Sequence, residues 1–202
     1  MSNDIALHYR ELAPNLKVSF DIRHRSIIDS MPVYNSGKDV LDVGCGDGPV
    51  SRALVEMGYD VTAIDIAKRP SWSKPEGVRF IEEDFLKSES LKKDYSVVMC
   101  SEVLEHLPDY VSFFNKLLEK TRHRLIITVP HERSYDDRSP PPIGHCNYWS
   151  LSRKNTFKPI SEYISMAKPY STSIAKIRTK PKDVQMKQWC FLIVVDKRQN
   201  YG

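Results

Sequence analysis

The sequence predicts an α/β domain built around a parallel β-sheet, and two observations support this. Apolar runs recur along the first half of the chain, and each ends on an acidic or polar residue. The first run, residues 40–43, leads through a glycine-rich turn into an amphipathic segment at 49–57, and a second apolar run follows at 59–65. A strand, a helix and a second strand in this order are typical of a βαβ unit, whose strands are parallel.

The turn at residues 44–48 indicates a ligand site. Gly44 and Gly46 allow the backbone to approach a ligand closely, and Asp42 places a carboxylate at the strand end. The spacing G-x-G-x-G differs from the dinucleotide pattern G-x-G-x-x-G, and no Walker lysine follows. A cofactor without a phosphate chain, and with a positive charge, therefore fits the turn better than a nucleotide phosphate does.

The later strands end in further polar residues. Asp65 lies about 20 residues beyond the turn, where a carboxylate can accept hydrogen bonds from ribose hydroxyls. A third strand at 78–81 leads to Asp84 and Phe85, which we expect to hold an adenine, and a fourth strand at 95–100 leads to Ser101. Since the carboxyl ends of parallel strands share one edge of a sheet, these residues are expected to converge there.

The series VLDVGCGDG, VTAID, EEDF and CSEVLEHLPD, followed by LIITVP, resembles the class I S-adenosylmethionine-dependent methyltransferases over residues 38–130. The resemblance implies a Rossmann-like seven-stranded sheet, mostly parallel, with an antiparallel C-terminal hairpin and helices on both faces. It also implies S-adenosyl-L-methionine as cofactor. The cofactor-binding residues it implies are Asp42, Gly44, Cys45, Gly46, Asp65, Ile66, Asp84, Phe85 and Ser101.

The chain departs from the family pattern after Asp65, where residues 68–77 replace the usual helix, so a loop is expected beside the adenine. Towards the C-terminus, the pattern predicts a helix at 153–165 and strands at 170–178 and 188–196. The last two strands resemble the hairpin that completes the family's sheet.

Length and composition predict one domain. The resemblance implies that it comprises an N-terminal helical lid at 1–36 and a core at 37–202 that carries a substrate loop at 131–150. The four cysteines are scattered without C-x-x-C pairs, which argues against a disulfide framework or a zinc site. We find neither a signal-like segment nor an apolar run long enough to span a bilayer, so we expect a cytoplasmic protein without membrane insertion.

The net charge of +4 raises the question of a nucleic-acid partner. The densest basic group, at residues 176–187, is expected in a connection between strands, without an aromatic and basic repeat. A solvated loop is the favoured interpretation, so nucleic acid stays the less favoured partner. The oligomeric state is left open.

The N-terminal segment offers candidates for the methionine end of the cofactor. The family often uses such a segment as a lid, and by position Tyr9 is expected to lie over this end. Arg23 and Arg25 are candidates to pair with the cofactor's carboxylate, because the guanidinium fork fits that group. A surface or helix-packing role for these residues is equally consistent with the sequence.

The loop at 131–150 is the predicted acceptor side. Its triple proline keeps it out of the core, and it ends near His145, Tyr148 and Trp149. His145 is the first candidate general base and His131 the second, with Tyr148 and Trp149 shaping the acceptor pocket. The alternative is that His145 braces the loop and Trp149 packs beneath it.

Glu102, Glu105 and His106 have helical spacing and are expected on one face, where they line the active site. Glu102 is a third catalytic candidate, and Glu105 and His106 are expected near the substrate. With His145 they resemble the metal-binding group of small-RNA 3′-end ribose methyltransferases, although the string EVLEHLPD also resembles quinone-pathway enzymes. No metal site is assigned.

The predicted function is methyl transfer from S-adenosylmethionine to an oxygen or nitrogen of a small molecule or glycan. Two alternatives remain. One is a metal-assisted RNA ribose methyltransferase, and the other is a non-catalytic module that binds S-adenosylmethionine and regulates a partner.

Overall fold

The computed structural model describes residues 20–32, 37–131, 149–150, 158–179 and 189–197. Its main sheet has seven strands: β1 Asp39–Val43, β2 Asp60–Asp65, β3 Arg79–Glu82, β4 Tyr95–Ser101, β5 Thr121–Pro130, β8 Ser171–Arg178 and β9 Trp189–Asp196. Two short strands, β6 Trp149–Ser150 and β7 Lys158–Pro159, pair separately in a parallel arrangement.

The main sheet has the strand order β3-β2-β1-β4-β5-β9-β8. Its first five strands pair in parallel, whereas β9 is antiparallel to both β5 and β8. The predicted fold class is therefore confirmed, including the C-terminal hairpin. The order reverses direction between β1 and β4, and in such sheets ligands bind beyond the carboxyl ends of the strands at this point.

Helices cover both faces of the sheet, as predicted. They are α1 Ile22–Asp29, α2 Pro49–Glu56, α3 Tyr110–Lys120 and α4 Glu162–Met166, with shorter 3-10 helices at Pro70–Ser73, Phe85–Lys87 and Leu104–His106. One apolar cluster holds side chains of α1 and α2 under one face. The other cluster holds side chains of α3 and α4 under the opposite face. Among the described residues, no helix combines the length and apolar character needed to cross a bilayer.

Local sequence explains where the helices beside the site begin. Asp21 caps α1 by accepting from the backbone N–H groups of Arg23 and His24, in a capping box. Gly48, at a φ of 73°, leads the glycine turn into α2, whose first residue is Pro49. Both starts place the amino end of a helix near the carboxyl edge of the sheet.

The predicted helix at 153–165 is wrong in its first described part. Lys158 and Pro159 form β7, and the helix begins only at Glu162. Pro159 explains this difference, because proline lacks an N–H and pushes the preceding residue towards an extended conformation. The segment after Asp65, expected as a loop, contains the short 3-10 helix Pro70–Ser73.

Helix α1 is attached to the sheet through Arg124 of β5. Its Nε and Nη2 atoms donate to the two carboxylate oxygens of Asp196 at 2.7 and 2.9 Å, and Nη1 donates to the Ser30 carbonyl at 2.8 Å. One guanidinium thus joins β5, β9 and the end of α1, in the bidentate geometry that makes arginine–carboxylate pairs strong.

We expect Arg124→Gln to lower the free energy of unfolding by about 1–3 kcal/mol, since it removes charge-assisted hydrogen bonds from a partly buried position. Urea denaturation measures this change. Arg122→Gln is the matched control, because Arg122 bonds to Asp39 from a side chain that is 44% exposed, where ion pairs contribute less. Equal losses in the two variants would contradict the assigned role of Arg124.

Candidate functional site

A cavity of about 260 Å³ lies at the carboxyl ends of β1, β2 and β4. It coincides with the point where the strand order reverses. Eight of the nine predicted cofactor-binding residues line it: Asp42, Gly44, Cys45, Gly46, Asp65, Ile66, Phe85 and Ser101.

The glycine turn forms the floor of this cavity. A Cβ atom on Gly44 would lie 2.3 Å from Cγ2 of Val103, so the turn and the segment after β4 pack too closely for any side chain there. A Cβ atom on Gly46 would meet nothing within 4 Å. Gly44 therefore permits close packing, whereas Gly46 leaves open space in which a ligand can approach the backbone.

Asp65 holds the turn against the end of β2. Its Oδ2 atom accepts from the Gly46 N–H at 2.9 Å, and Oδ1 accepts from the Ala67 N–H at 3.1 Å. Each carboxylate oxygen has two lone pairs, so Asp65 retains acceptor capacity for a ligand hydroxyl.

The 3-10 helix Pro70–Ser73 supports the turn from the other side. Trp72 donates from Nε1 to the Gly46 carbonyl at 2.9 Å, and Ser71 donates from Oγ to Asp47 Oδ1 at 2.8 Å. The Trp72 ring stacks on Phe80 with its centroid 4.8 Å away. The residues that replace the family's usual helix thus fix the turn in place.

Asp42 lies under the turn as a buried acid. Ser51 donates from Oγ to its Oδ2 at 2.6 Å. Burial and, less strongly, the charge of Asp65 raise the pKa of Asp42 to about 7, although the Ser51 hydrogen bond lowers it. Burial also raises the pKa of Asp65. Two acids that are costly to ionise alone make this floor suited to a cationic ligand.

Glu102 follows β4 and faces the same cavity. Its backbone has a φ of +54°, a left-handed conformation that is uncommon for a residue with a side chain. Arg23 Nη1 lies 3.1 Å from its Oε2, and Arg23 also donates from Nε and Nη2 to Asp21 Oδ2 at 2.9 and 2.7 Å. Burial raises the pKa of Glu102, and the Arg23 charge opposes this.

The helical face expected for Glu102, Glu105 and His106 is not observed. The left-handed backbone of Glu102 is incompatible with a helix, and only the 3-10 helix Leu104–His106 follows. Glu102 and His106 line the cavity. Glu105 is 1% exposed beneath them, and its Oε1 lies 3.8 Å from His106 Nε2. Burial raises the pKa of Glu105 well above its usual range.

The part of the chain that the structure describes contains no group of three metal-ligating side chains. The fourth residue of the metal hypothesis, His145, lies outside the described residues, as do Tyr9 and Tyr148. Trp149 belongs to β6, where its backbone pairs with Lys158. The predicted roles of these side chains stay predictions.

Two other candidates lie away from the cavity lining. His131 is 2% exposed, and its ring packs on Phe191 with centroids 4.8 Å apart, so it lies in the core near the end of β5. Asp84 accepts from the Leu86 N–H at 3.0 Å and caps the 3-10 helix Phe85–Lys87. Its neighbours Glu83 and Phe85 line the cavity instead.

The lining also includes residues without an assigned role in the sequence prediction, and two of them are buried and polar. His24 and Arg69 are each 6% exposed and border the cavity. Arg23, beside His24, was a candidate and does line the cavity, whereas Arg25 is exposed. The sequence signal for Arg69 is the departure after Asp65, where a proline directly follows the arginine.

Comparison with known proteins agrees with this geometry. A family model described as a methyltransferase domain matches residues 19–164. The ubiquinone biosynthesis O-methyltransferase of Nitrosospira multiformis is 41% identical over 87 residues. That match covers 38% of this chain and 36% of the relative, so the chain matches about a third of the relative's length.

Solved structures share the fold. The magnesium protoporphyrin IX methyltransferase of Synechocystis PCC 6803, with bound S-adenosylmethionine, has a TM-score of 0.59 at 20% identity. The match covers 96% of this chain and 92% of the Synechocystis protein. An N-methyltransferase of Bradyrhizobium japonicum, in complex with S-adenosylhomocysteine, has a TM-score of 0.60 at 13% identity. The match covers 88% of this chain and 86% of the Bradyrhizobium japonicum protein.

The raised pKa of Asp42 predicts a pH dependence of ligand binding. Because folding raises this pKa from 3.8 to about 7, the folded chain retains a proton that the unfolded chain loses, and the group's contribution to stability falls as pH rises between these values. A bound cationic ligand favours the charged form of the Asp42 carboxylate. Affinity for S-adenosylmethionine should therefore rise between pH 6 and 8, by at most about tenfold per unit.

Calorimetric titration across this pH range measures the effect. Asp42→Asn should flatten the profile, and the neutral thioether S-adenosylhomocysteine should show a weaker slope in the unaltered protein. A profile that is equally steep in Asp42→Asn would assign the titration to another group.

Proposed function

Because this chain belongs to the S-adenosylmethionine-dependent methyltransferases, whose domain model matches residues 19–164, we propose that it transfers a methyl group to an oxygen or nitrogen of a small molecule or glycan. The observation that carries the proposal is the cavity at the strand ends. There the open side of Gly46, the acceptor Asp65 and the buried acid Asp42 meet.

The residues present fit the cofactor. Gly44 and Gly46 would hold its methionine part against the turn, Asp65 would accept from the ribose hydroxyls, and Ile66 and Phe85 would provide apolar contacts for the adenine. When bound, S-adenosylmethionine supplies an activated methyl group on a sulfonium that is its own leaving group. The chain then has to align the acceptor and keep water out.

Glu102 is the candidate base that the structure supports. It faces the cavity from the end of β4, and the Arg23 guanidinium at 3.1 Å favours its charged form. A carboxylate in this position can accept the proton of an attacking hydroxyl, or can deprotonate an ammonium group so that the resulting amine attacks. His145, which the sequence favours, is the second candidate.

The acceptor class is inferred from several supports. The Nitrosospira multiformis relative is named as an O-methyltransferase, and the Bradyrhizobium japonicum protein is an N-methyltransferase. A lining with both apolar groups, such as Leu107 and Phe113, and charged groups suits a small polar or amphipathic acceptor. We also propose that the protein works in the cytoplasm, since Cys45, Cys100 and Cys190 are buried free thiols.

Transfer from methyl-labelled S-adenosylmethionine into fractionated metabolite, glycan and RNA extracts tests the proposal. Label is expected in a small-molecule or glycan fraction. Label in RNA that is lost with excess chelator would instead support the metal-assisted alternative. Cofactor binding without transfer to any fraction would support a regulatory module.

Glu102→Gln should lower kcat by about 100-fold if this residue is the base. The base must be deprotonated to act, and burial raises its pKa, so activity of the unaltered protein should fall on acidification at a higher pH than for an ordinary glutamate. Glu119→Gln, at an exposed position of α3, is the control. A pH–rate profile of kcat is the measurement.

His145→Ala distinguishes the two candidates. If Glu102 is the base, this change should leave the acid limb of the pH–rate profile in place. An unchanged kcat in Glu102→Gln together with a loss of about 100-fold in His145→Ala would transfer the role to the histidine. His123→Ala, near the amino end of β5, controls for loss of an imidazole.

A further inference from the structure

Arg69 lines the cavity and carries hydrogen-bond donors that no described residue uses. The side chain is 6% exposed and belongs to the cavity lining. Its Nε and Nη1 atoms are buried, and neither has a hydrogen-bond partner in the part of the chain that the structure describes. A guanidinium can only donate, and buried donors in native proteins are paired. The arginine therefore lacks an acceptor that a ligand can supply.

The backbone holds Arg69 in this position. Arg69 has an extended conformation, with φ −108° and ψ 149°, immediately before the 3-10 helix Pro70–Ser73. Its carbonyl accepts from the Trp72 N–H at 3.1 Å, and Trp72 in turn donates from Nε1 to the Gly46 carbonyl. Trp72 therefore holds both the Arg69 backbone and the glycine turn, and it fixes the position of Arg69 relative to the turn.

The charge of Arg69 acts on the acid at the end of β2. Burial raises the pKa of Asp65, the Gly46 and Ala67 N–H groups lower it, and the positive charge of Arg69 lowers it further. The described hydrogen bonds of the Asp65 carboxylate oxygens nevertheless go to these backbone groups. The acceptor Asp65 and the donor Arg69 therefore both border the cavity, and Arg69 is near enough for its charge to act on Asp65.

The chemistry of the neighbours limits what Arg69 can bind. A carboxylate or phosphate beside it would also approach Asp65, and the burial of Asp65 already penalises negative charge. A neutral hydroxyl has no such penalty. It also carries one donor and acceptor lone pairs, so one hydroxyl can donate to a carboxylate and accept from a guanidinium.

We propose that Arg69 is a second ribose-recognition residue, which donates hydrogen bonds to the ribose oxygens of the cofactor while Asp65 accepts from the same hydroxyls. This inference rests on the proposed function through its cofactor. It assigns a recognition role to the segment in which the chain departs from its family, because the extended backbone before Pro70 directs this arginine inwards.

Calorimetric binding of S-adenosylhomocysteine to purified full-length variants tests the proposal. Arg69→Met keeps much of the side-chain volume but removes every donor, and it should weaken binding by about tenfold or more. Lys68→Met is the matched control, since Lys68 is its exposed neighbour, and it should bind like the unaltered protein. Equal affinity of Arg69→Met and the unaltered protein would overturn the inference.

Thermal unfolding without ligand separates recognition from a structural role. Arg69→Met removes unpaired buried donors, so its Tm should equal or exceed that of the unaltered protein. A lower Tm, accompanied by restored binding in a stabilising buffer, would show that Arg69 supports the fold and would overturn the inference.

Ribose-modified ligands locate the contact. Loss of the 2′- or 3′-hydroxyl from S-adenosylhomocysteine should cost the unaltered protein more affinity than it costs Arg69→Met, because the variant has already lost one partner of that hydroxyl. If the loss of each hydroxyl cost the unaltered protein and Arg69→Met the same affinity, the ribose assignment would be overturned. Absence of binding by the unaltered protein would overturn the proposed function as well, whereas the other contrary results overturn only the role of Arg69.

Discussion

Burial of negative charge at the carboxyl edge of the sheet is the constraint on which this site depends. Asp42, Asp65 and Glu102 lie at or directly beyond the carboxyl ends of three neighbouring parallel strands and border one cavity. Ser51 donates to Asp42, and two backbone N–H groups together with the charge of Arg69 stabilise ionised Asp65. Arg23 and Thr128 favour the charged form of Glu102. A cationic ligand relieves the remaining cost, which links the electrostatics of the cavity directly to the charge of its cofactor.

The same edge is mechanically coupled. The Gly46 N–H donates to Asp65 and its carbonyl accepts from Trp72, so the turn after β1 is held by the last residue of β2 and by the 3-10 helix Pro70–Ser73. On the other side, Gly44 packs against Val103 in the segment after β4. The open space beside Gly46 is consequently shaped before a ligand arrives, which reduces the cost of ordering on binding.

The parts of this arrangement that depend on periodicity were predictable from the sequence. Apolar runs that end in acids predict the strands, and parallel pairing then brings their ends together, so most of the residues predicted to bind the cofactor line one cavity. Contacts made by folding were not predictable. The inward direction of Arg69, the burial of Glu105 and the packing of His131 on Phe191 depend on neighbours that are distant in sequence. The predicted helix at 153–165 fails at Lys158 and Pro159, where the local effect of proline favours an extended conformation.

The central claim is that the cavity at the strand ends binds S-adenosylmethionine and that Asp65 contributes to this binding. Calorimetric titration of S-adenosylmethionine into the purified protein and its Asp65→Ala and Asp60→Ala variants tests this claim most directly. Asp65 and Asp60 are the two ends of β2, and only Asp65 borders the cavity. The account predicts one binding site per chain, weakened in Asp65→Ala and retained in Asp60→Ala. Absence of binding by the unaltered protein, or equal affinity in all three, would contradict it.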